Sequence, residues 1–130
     1  MKSEFPFVAR SYEFQPYVPC KNFVGGEWCD SYSGENIEII NPRHNKVMGT
    51  CPASASTDID HAVAAAKKAL PGWSATPLKE RAQVLYRLKT LMEENLEELT
   101  WLLSHENGKT YAEAKGSVLK GIECVELGTS

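Results

Sequence analysis

Three short stretches carry residues whose types and spacing could do chemistry. Gly108-Lys109-Thr110 has the form of the last residues of a phosphate-binding loop, where main-chain N–H groups and a lysine hold a polyphosphate. That reading fails, because the glycine required five residues earlier is Leu103 and the preceding segment has helical periodicity rather than that of a strand. A glycine that ends one helix and a threonine that caps the next account for the same three residues. His105-Glu106 could open the zinc-binding pattern H-E-x-x-H, but Lys109 stands where the second histidine belongs. Glu93, Glu94, Glu97 and Glu98 invite a metal site or a carboxylate pair. Beside a helix start, the expected state of such a run is a solvated face. His44 falls in a predicted turn and His61 on the polar side of a predicted helix, and no histidine has a Ser or Cys in a known local triad signature. Cys20, Cys29, Cys51 and Cys124 form no C-x-x-C pair and read as reduced structural thiols. With no G-x-G-x-x-G after a strand, direct dinucleotide recognition within these residues is not expected. No catalytic, cofactor-binding or metal-binding residue is assigned on this basis, so any chemistry must be completed by residues outside the 130.

The elements that would position these residues fall into three stretches. Residues 1–20 mix aromatics with Pro6, Pro16 and Pro19, which cannot sustain a helix and imply an extended arm. Residues 21–52 read as a β-hairpin region. Phe23-Val24 and Glu27-Trp28 flank a Gly25-Gly26 turn, and Ile37, Ile39 and Ile40 precede a turn at residues 41–45 that leads into Val47–Thr50. From residue 53 the period changes from 2 to 3.6 and helices follow. Thr57 with Asp60 has the form of a capping box for a first helix, whose stripe is Ile59, Val63, Ala66 and Leu70 and whose end is expected near Pro71-Gly72. Thr76-Pro77 marks a second start, as a cap with proline in the first turn. Leu78, Ala82, Leu85 and Met92 are its stripe, widened by Val84, Leu88 and Leu91 toward a second buried side. Asn95 with Glu98 restarts a short third helix that Gly108 stops. Thr110 caps a fourth, whose apolar face of Tyr111, Ala114, Val118, Ile122 and Val125 has no following strand to receive it. Gly116 and Gly121 inside this helix suggest the close approach of a neighbouring backbone or a ligand.

Bulk composition narrows the possible partners. A hydrophobic fraction of 42% with 24% charged residues is that of a folding chain, and 130 residues is one domain's worth. A net charge of −3 gives no surplus for holding nucleic acid or an anionic membrane. No apolar run approaches the roughly 20 residues that a spanning helix needs. Without an apolar leader, and with acidic residues at Glu4 and Glu13, the expected location is cytoplasmic.

The order of these signals is more telling than any one of them. Phe23-Val24-Gly25-Gly26-Glu27-Trp28, Asn41-Pro42 with Gly49 and Pro52, and Thr57 through Ala66 resemble the opening of the aldehyde dehydrogenase superfamily. Trp73, the Leu78 to Glu94 helix with Glu80-Arg81, and His105 through Thr110 followed by Ala112-Glu113-Ala114 resemble that family's next landmarks, in the same order. Gly108-Lys109-Thr110 and the stretch from Gly116 to Glu126 are similar to the CoA-acylating methylmalonate-semialdehyde dehydrogenase branch. The resemblance implies an α/β fold: an N-terminal arm and β-hairpins followed by amphipathic helices, the last forming part of a doubly wound NAD-binding domain. It further implies NAD as cofactor, CoA as co-substrate, a small aldehyde as substrate and a homo-oligomer (dimer or tetramer). Its nucleophilic cysteine, its glutamate and its glycine-rich cofactor turn come after the point matched by Ser130, so Cys124 is not that nucleophile.

That branch usually carries an arginine where this chain has Lys120, and its role there would be to grip the substrate carboxylate. Lysine keeps the charge but loses the two-pronged fork. Lys120 is therefore the one substrate-site candidate, weighed against the reading of a solvated lysine on a helix surface. Two readings follow from the resemblance: the N-terminal part of an NAD-dependent dehydrogenase, silent by itself, or a truncated non-enzymatic paralogue that binds dehydrogenase subunits. Either way, the isolated chain is expected to be marginally stable, to associate and not to bind NAD.

Overall fold

The computed structural model describes Phe14 and residues 19–129. Most of the expected arm lies outside the described residues. Two compact units are present, one formed by residues 19–40 and 46–76, the other by residues 41–45 and 77–129 with Phe14.

In the first unit, β1 (Asn22–Val24) and β2 (Glu27–Cys29) pair antiparallel, with Phe23 opposite Trp28. Gly25 and Gly26 have φ of +63° and +92°. Positive φ at both central residues defines the turn whose twist suits a two-residue hairpin, and glycine adopts it without steric cost. The Phe23 and Trp28 rings meet at 4.8 Å across the strands. A second hairpin joins β3 (Asn36–Asn41) to β4 (Lys46–Pro52), as the sequence indicates.

Helix α1 (Ser56–Ala75) starts and ends differently from the expectation. Its N-cap is Ala55, and the carboxylate that serves its first turn belongs to Asp58 rather than Asp60: Asp58 Oδ2 accepts from the Ala55 N–H at 2.8 Å. Pro71 does not end the helix, which runs four residues further. Proline removes one N–H donor but keeps a helical φ, so the chain continues to Thr76. The stripe of Ile59, Val63, Ala66 and Leu70 is exposed. The helix instead lies on β1 through small residues, with Ala62 and Ala65 half-buried and the Ala65 methyl 3.9 Å from where a side chain on Gly25 would begin.

The second unit is a helical bundle of α2 (Leu78–Glu94), α3 (Leu96–Asn107) and α4 (Tyr111–Leu127). Pro77 sits at the N-cap of α2, one position before the expected place, while Thr76 closes α1 by donating its hydroxyl to the Gly72 carbonyl at 3.0 Å. Ala82, Leu85 and Met92 are half-buried as expected, but Leu78, Val84, Leu88 and Leu91 are exposed. Asn95 does not cap α3 with its side chain; Nδ2 donates back to the Leu91 carbonyl at 2.7 Å and closes α2 instead. The amide serves the orphan carbonyls of the preceding helix rather than the orphan N–H groups of the next.

Helix α4 is covered, contrary to the expectation of an orphaned face. Ala114, Val118 and Ile122 are buried, and α2 and α3 are the elements packed against α4. Helices therefore receive the stripe that seemed to need a strand. Nothing lies within 4 Å of where a side chain on Gly116 would begin, and Gly121 meets only the Met92 methyl at 3.8 Å. Among the described residues, no neighbouring backbone comes within 4 Å of either position. Trp101 completes the buried apolar set on α3, beside the buried polar Thr100, Ser104 and His105.

Candidate functional site

The candidates from the sequence lie at separate places. At the corner between α3 and α4, Gly108 adopts φ 70°, ψ 12°, the left-handed conformation expected of a helix stop. Its N–H donates to the Ser104 carbonyl at 2.9 Å, while the Ser104 hydroxyl donates to the Lys109 carbonyl at 2.8 Å. A side chain on Gly108 would begin 3.0 Å from the Pro42 ring, so both backbone conformation and space call for glycine. Thr110 then opens α4 in a capping box with Glu113, whose carboxylate accepts from the Thr110 N–H at 3.1 Å. The Glu113 carboxyl is held below its usual range, first by the Thr110 hydroxyl and then by the Thr110 N–H. Lys109 Nζ donates to Ser117 Oγ at 3.2 Å. The three residues that resembled a phosphate loop are thus a helix corner.

His105, next to that corner, is buried, with its ring 3.9 Å from that of Trp101. Its Nδ1 lies 3.1 Å from the Trp101 carbonyl. A carbonyl can only accept, so this nitrogen carries the hydrogen. The burial of His105 was not foreseen. Its position four residues after Trp101 on a helix is the signal that could have shown it. The acidic run divides. Glu93 pairs with Lys89, whereas Glu97 is half-buried and accepts from both Lys115 Nζ at 2.7 Å and the Tyr111 hydroxyl. The expectation of a wholly solvated face is corrected there: Glu97 ties the first turn of α3 to α4.

In the other unit, Asp58 accepts from the Tyr32 N–H at 2.9 Å as well as from Ala55. These two main-chain donors, Ala55 first, hold its carboxyl below the usual 3.8. Asp58 and His61 line a small pocket of about 160 Å³ with Asn22, Cys29, Asp30 and Tyr32, and Tyr32 meets the His61 ring edge-on at 5.8 Å. A wider groove of about 920 Å³ separates the Gly25-Gly26 turn from α1, with His61 and Lys68 on its rim. Among the described residues, no three His, Cys, Asp or Glu side chains come together as a metal site.

Lys120 lies on the exposed side of α4, where its ammonium pairs with Glu123 one turn on. That hydrogen bond, followed by the carboxylate's charge, raises its pKa. Cys124 is exposed one turn further along, and all four cysteines are free thiols.

An acidic side chain stands in the first turn of each described helix. An anionic pyrophosphate needs free N–H groups at a helix N-terminus. At the starts of α1 and α4 the N–H groups of Ala55 and Thr110 donate to the carboxylates of Asp58 and Glu113. Glu80 stands in the first turn of α2, and Glu97 and Glu98 in that of α3.

Comparison with known proteins supplies what the local geometry does not. Residues 28–129 match the model of the aldehyde dehydrogenase family. A malonate-semialdehyde dehydrogenase of Halalkalibacterium halodurans is 46% identical over 107 residues, covering 82% of this chain and 22% of the relative. Among solved structures, a methylmalonate-semialdehyde dehydrogenase from Sinorhizobium meliloti in complex with NAD superposes with a TM-score of 0.80 at 35% identity, covering 88% of this chain and 23% of that one. An NADP-dependent enzyme of E. coli superposes with a TM-score of 0.81 at 35% identity, over 83% of this chain and 22% of its own. The chain thus spans between a fifth and a quarter of the length of the proteins it matches.

Proposed function

This chain belongs to the aldehyde dehydrogenase family, and we propose that it is the N-terminal part of an NAD-dependent enzyme that oxidises malonate or methylmalonate semialdehyde to an acyl-CoA. The observation that carries this reading is the 46% identity to a malonate-semialdehyde dehydrogenase across 107 residues. The likeness to a relative solved with NAD supports the cofactor. In this reading the nucleophile, its activating base and the oxyanion donors come from residues past Ser130, because acyl transfer through a thiolate needs all three held together. NAD is likewise bound mainly by those residues, CoA is the co-substrate, and the whole enzyme is a cytoplasmic homo-oligomer. Within the described residues the contribution is scaffolding: hairpins, a capped helical corner and the α2–α4 bundle. Lys120 is the candidate for the substrate mouth, where its ammonium would attract a carboxylate but grip it less directionally than arginine.

The test is an NADH-formation assay with malonate semialdehyde, with and without CoA. It compares the 130-residue chain with a protein translated from the same reading frame continued past Ser130. Activity confined to the longer protein, and dependent on CoA, is expected. NADH formation by the 130 residues alone, or a longer protein that ignores both semialdehydes, would overturn the reading.

A further inference from the structure

We propose that Cys20 and Cys51 are a reversible redox pair, closed to an intrachain disulfide by a low-molecular-weight disulfide and reopened by thiols. The Cys20 N–H donates to the Thr50 carbonyl at 2.8 Å, which lays residue 20 along β4. On the other edge of β4 the Ala53 N–H donates to the Glu35 carbonyl at 2.9 Å, so residues 50 and 52 turn their main-chain groups away from β3 and toward residue 20. Further on, the Asn22 side chain and Ser54 Oγ exchange hydrogen bonds at 2.9 and 3.3 Å, so the two segments advance in the same direction. In a parallel pair, the residue that donates to one carbonyl lies opposite the residue after it, which here is Cys51. Opposite residues project to the same face from strands about 4.7–4.9 Å apart, inside the roughly 4.4–6.8 Å between Cα atoms that a disulfide spans. The return bond of this pair would come from residue 52, and Pro52 has no N–H to give, so the pairing there is less rigid than a full ladder.

The two sulfurs divide the chemistry by access. Cys20 is exposed and Cys51 half-buried, so the first meets the oxidant and the second resolves it. The Cys20 thiolate attacks one sulfur of the small disulfide and expels the other as a thiolate. The Cys51 thiolate then attacks the Cys20 sulfur of the mixed disulfide and expels the remaining half. Two protein thiols thereby lose two electrons and two protons, and the oxidant leaves as two thiols. Both cysteines belong to the same compact unit, so the pair is complete without residues past Ser130. Cys29 does not offer the same match: it stands opposite Asn22 across the hairpin, which makes it a diagonal neighbour of Cys20 at about 7–8 Å, too far to bridge without backbone movement. Cys124 belongs to the other unit. The closed loop from residue 20 to residue 51 contains β1, β2 and β3, and closure stabilises it chiefly by restricting the unfolded chain.

The experiment treats the 130-residue chain with glutathione disulfide, blocks the remaining thiols with iodoacetamide and maps the peptides by mass, with and without urea. In the folded chain the Cys20 and Cys51 peptides are expected joined, two hydrogens lighter than their reduced sum, and parted again by dithiothreitol. This link should exceed any to Cys29 or Cys124 by about tenfold or more, and the preference should vanish in urea. Amide exchange across β1 and β2 should slow by about tenfold or more in the oxidised chain. Cys51→Ser should leave Cys20 carrying glutathione. Separate glutathione adducts on Cys20 and Cys51 in the folded wild type overturn the proposal. So does a Cys20–Cys51 link that urea leaves equally preferred, or one that forms only between chains, since the fold then does not set the pairing.

Discussion

Helices α1 and α4 carry the same sequence signal and meet opposite fates. Each shows an apolar residue at every third or fourth position, yet Ala114 and Ile122 on α4 are 0% and 6% exposed while Ile59 and Leu70 on α1 are 60% and 58% exposed. The difference lies in the neighbours. Helix α4 follows two helices joined by short connections, and α2 and α3 close over its stripe. Among the described residues α1 lies beside β1 of the small hairpin, which it meets through the half-buried Ala62 and Ala65. The bundle is held by an apolar core around Trp101, whereas α1 and its hairpin depend more on polar anchors such as Asp58. Periodicity shows that a helix forms and where its apolar side lies. It does not show whether anything covers that side.

The contrast can be broken most forcefully at Trp101. Replacing it with alanine should empty buried volume in the bundle and destabilise it by about 3–5 kcal/mol, read by urea denaturation. A loss below about 1 kcal/mol would mean that the bundle core is not where the burial places it. An intermediate effect is expected from acid on the hairpin unit. Asp58 is held below 3.8 in the folded chain, so its contribution is complete above the ordinary carboxylate range and is lost as pH falls through the lower, folded-state value. Protection of the Tyr32 and Ala55 amide hydrogens should therefore drop in that acid window, and Asp58→Asn should abolish this pH dependence. Unchanged protection through the window would remove Asp58 as the anchor. The smallest effect should come from Leu70→Ala on the exposed stripe, within about 0.5 kcal/mol when measured at dilute, monomeric concentrations. A much larger loss there would show that α1 is covered after all.

Much of this architecture was legible in the letters because local chemistry decides it. Two adjacent glycines between β-type residues specify the first hairpin, Gly108 a left-handed helix stop, and Thr110 the start of α4, since each residue satisfies backbone groups or dihedral angles within a few positions of itself. The ordered landmarks also carried the family. Misreadings arose where one residue had two possible local partners. Asn95 could serve the helix on either side and took the earlier one, and Asp58 rather than Asp60 proved to lie within reach of the Ala55 N–H. Pro71 was read as a stop because proline removes a donor, although its fixed φ is still helical.

The candidate site was less legible than the fold. Lys120 could be named from the sequence, but its pairing with Glu123 depends on the helix that places them one turn apart. The sequence alone determined the order of strands and helices, the glycine turn of the first hairpin, the Gly108 stop and the Thr110 cap, because these follow from interactions within a few residues. Tertiary structure alone decided that Glu97 bridges α3 to α4, and that the stripe of α4 is covered while that of α1 is open. Burial depends on which distant segment comes to lie alongside, and residues 14 or more positions apart meet only once the chain has folded.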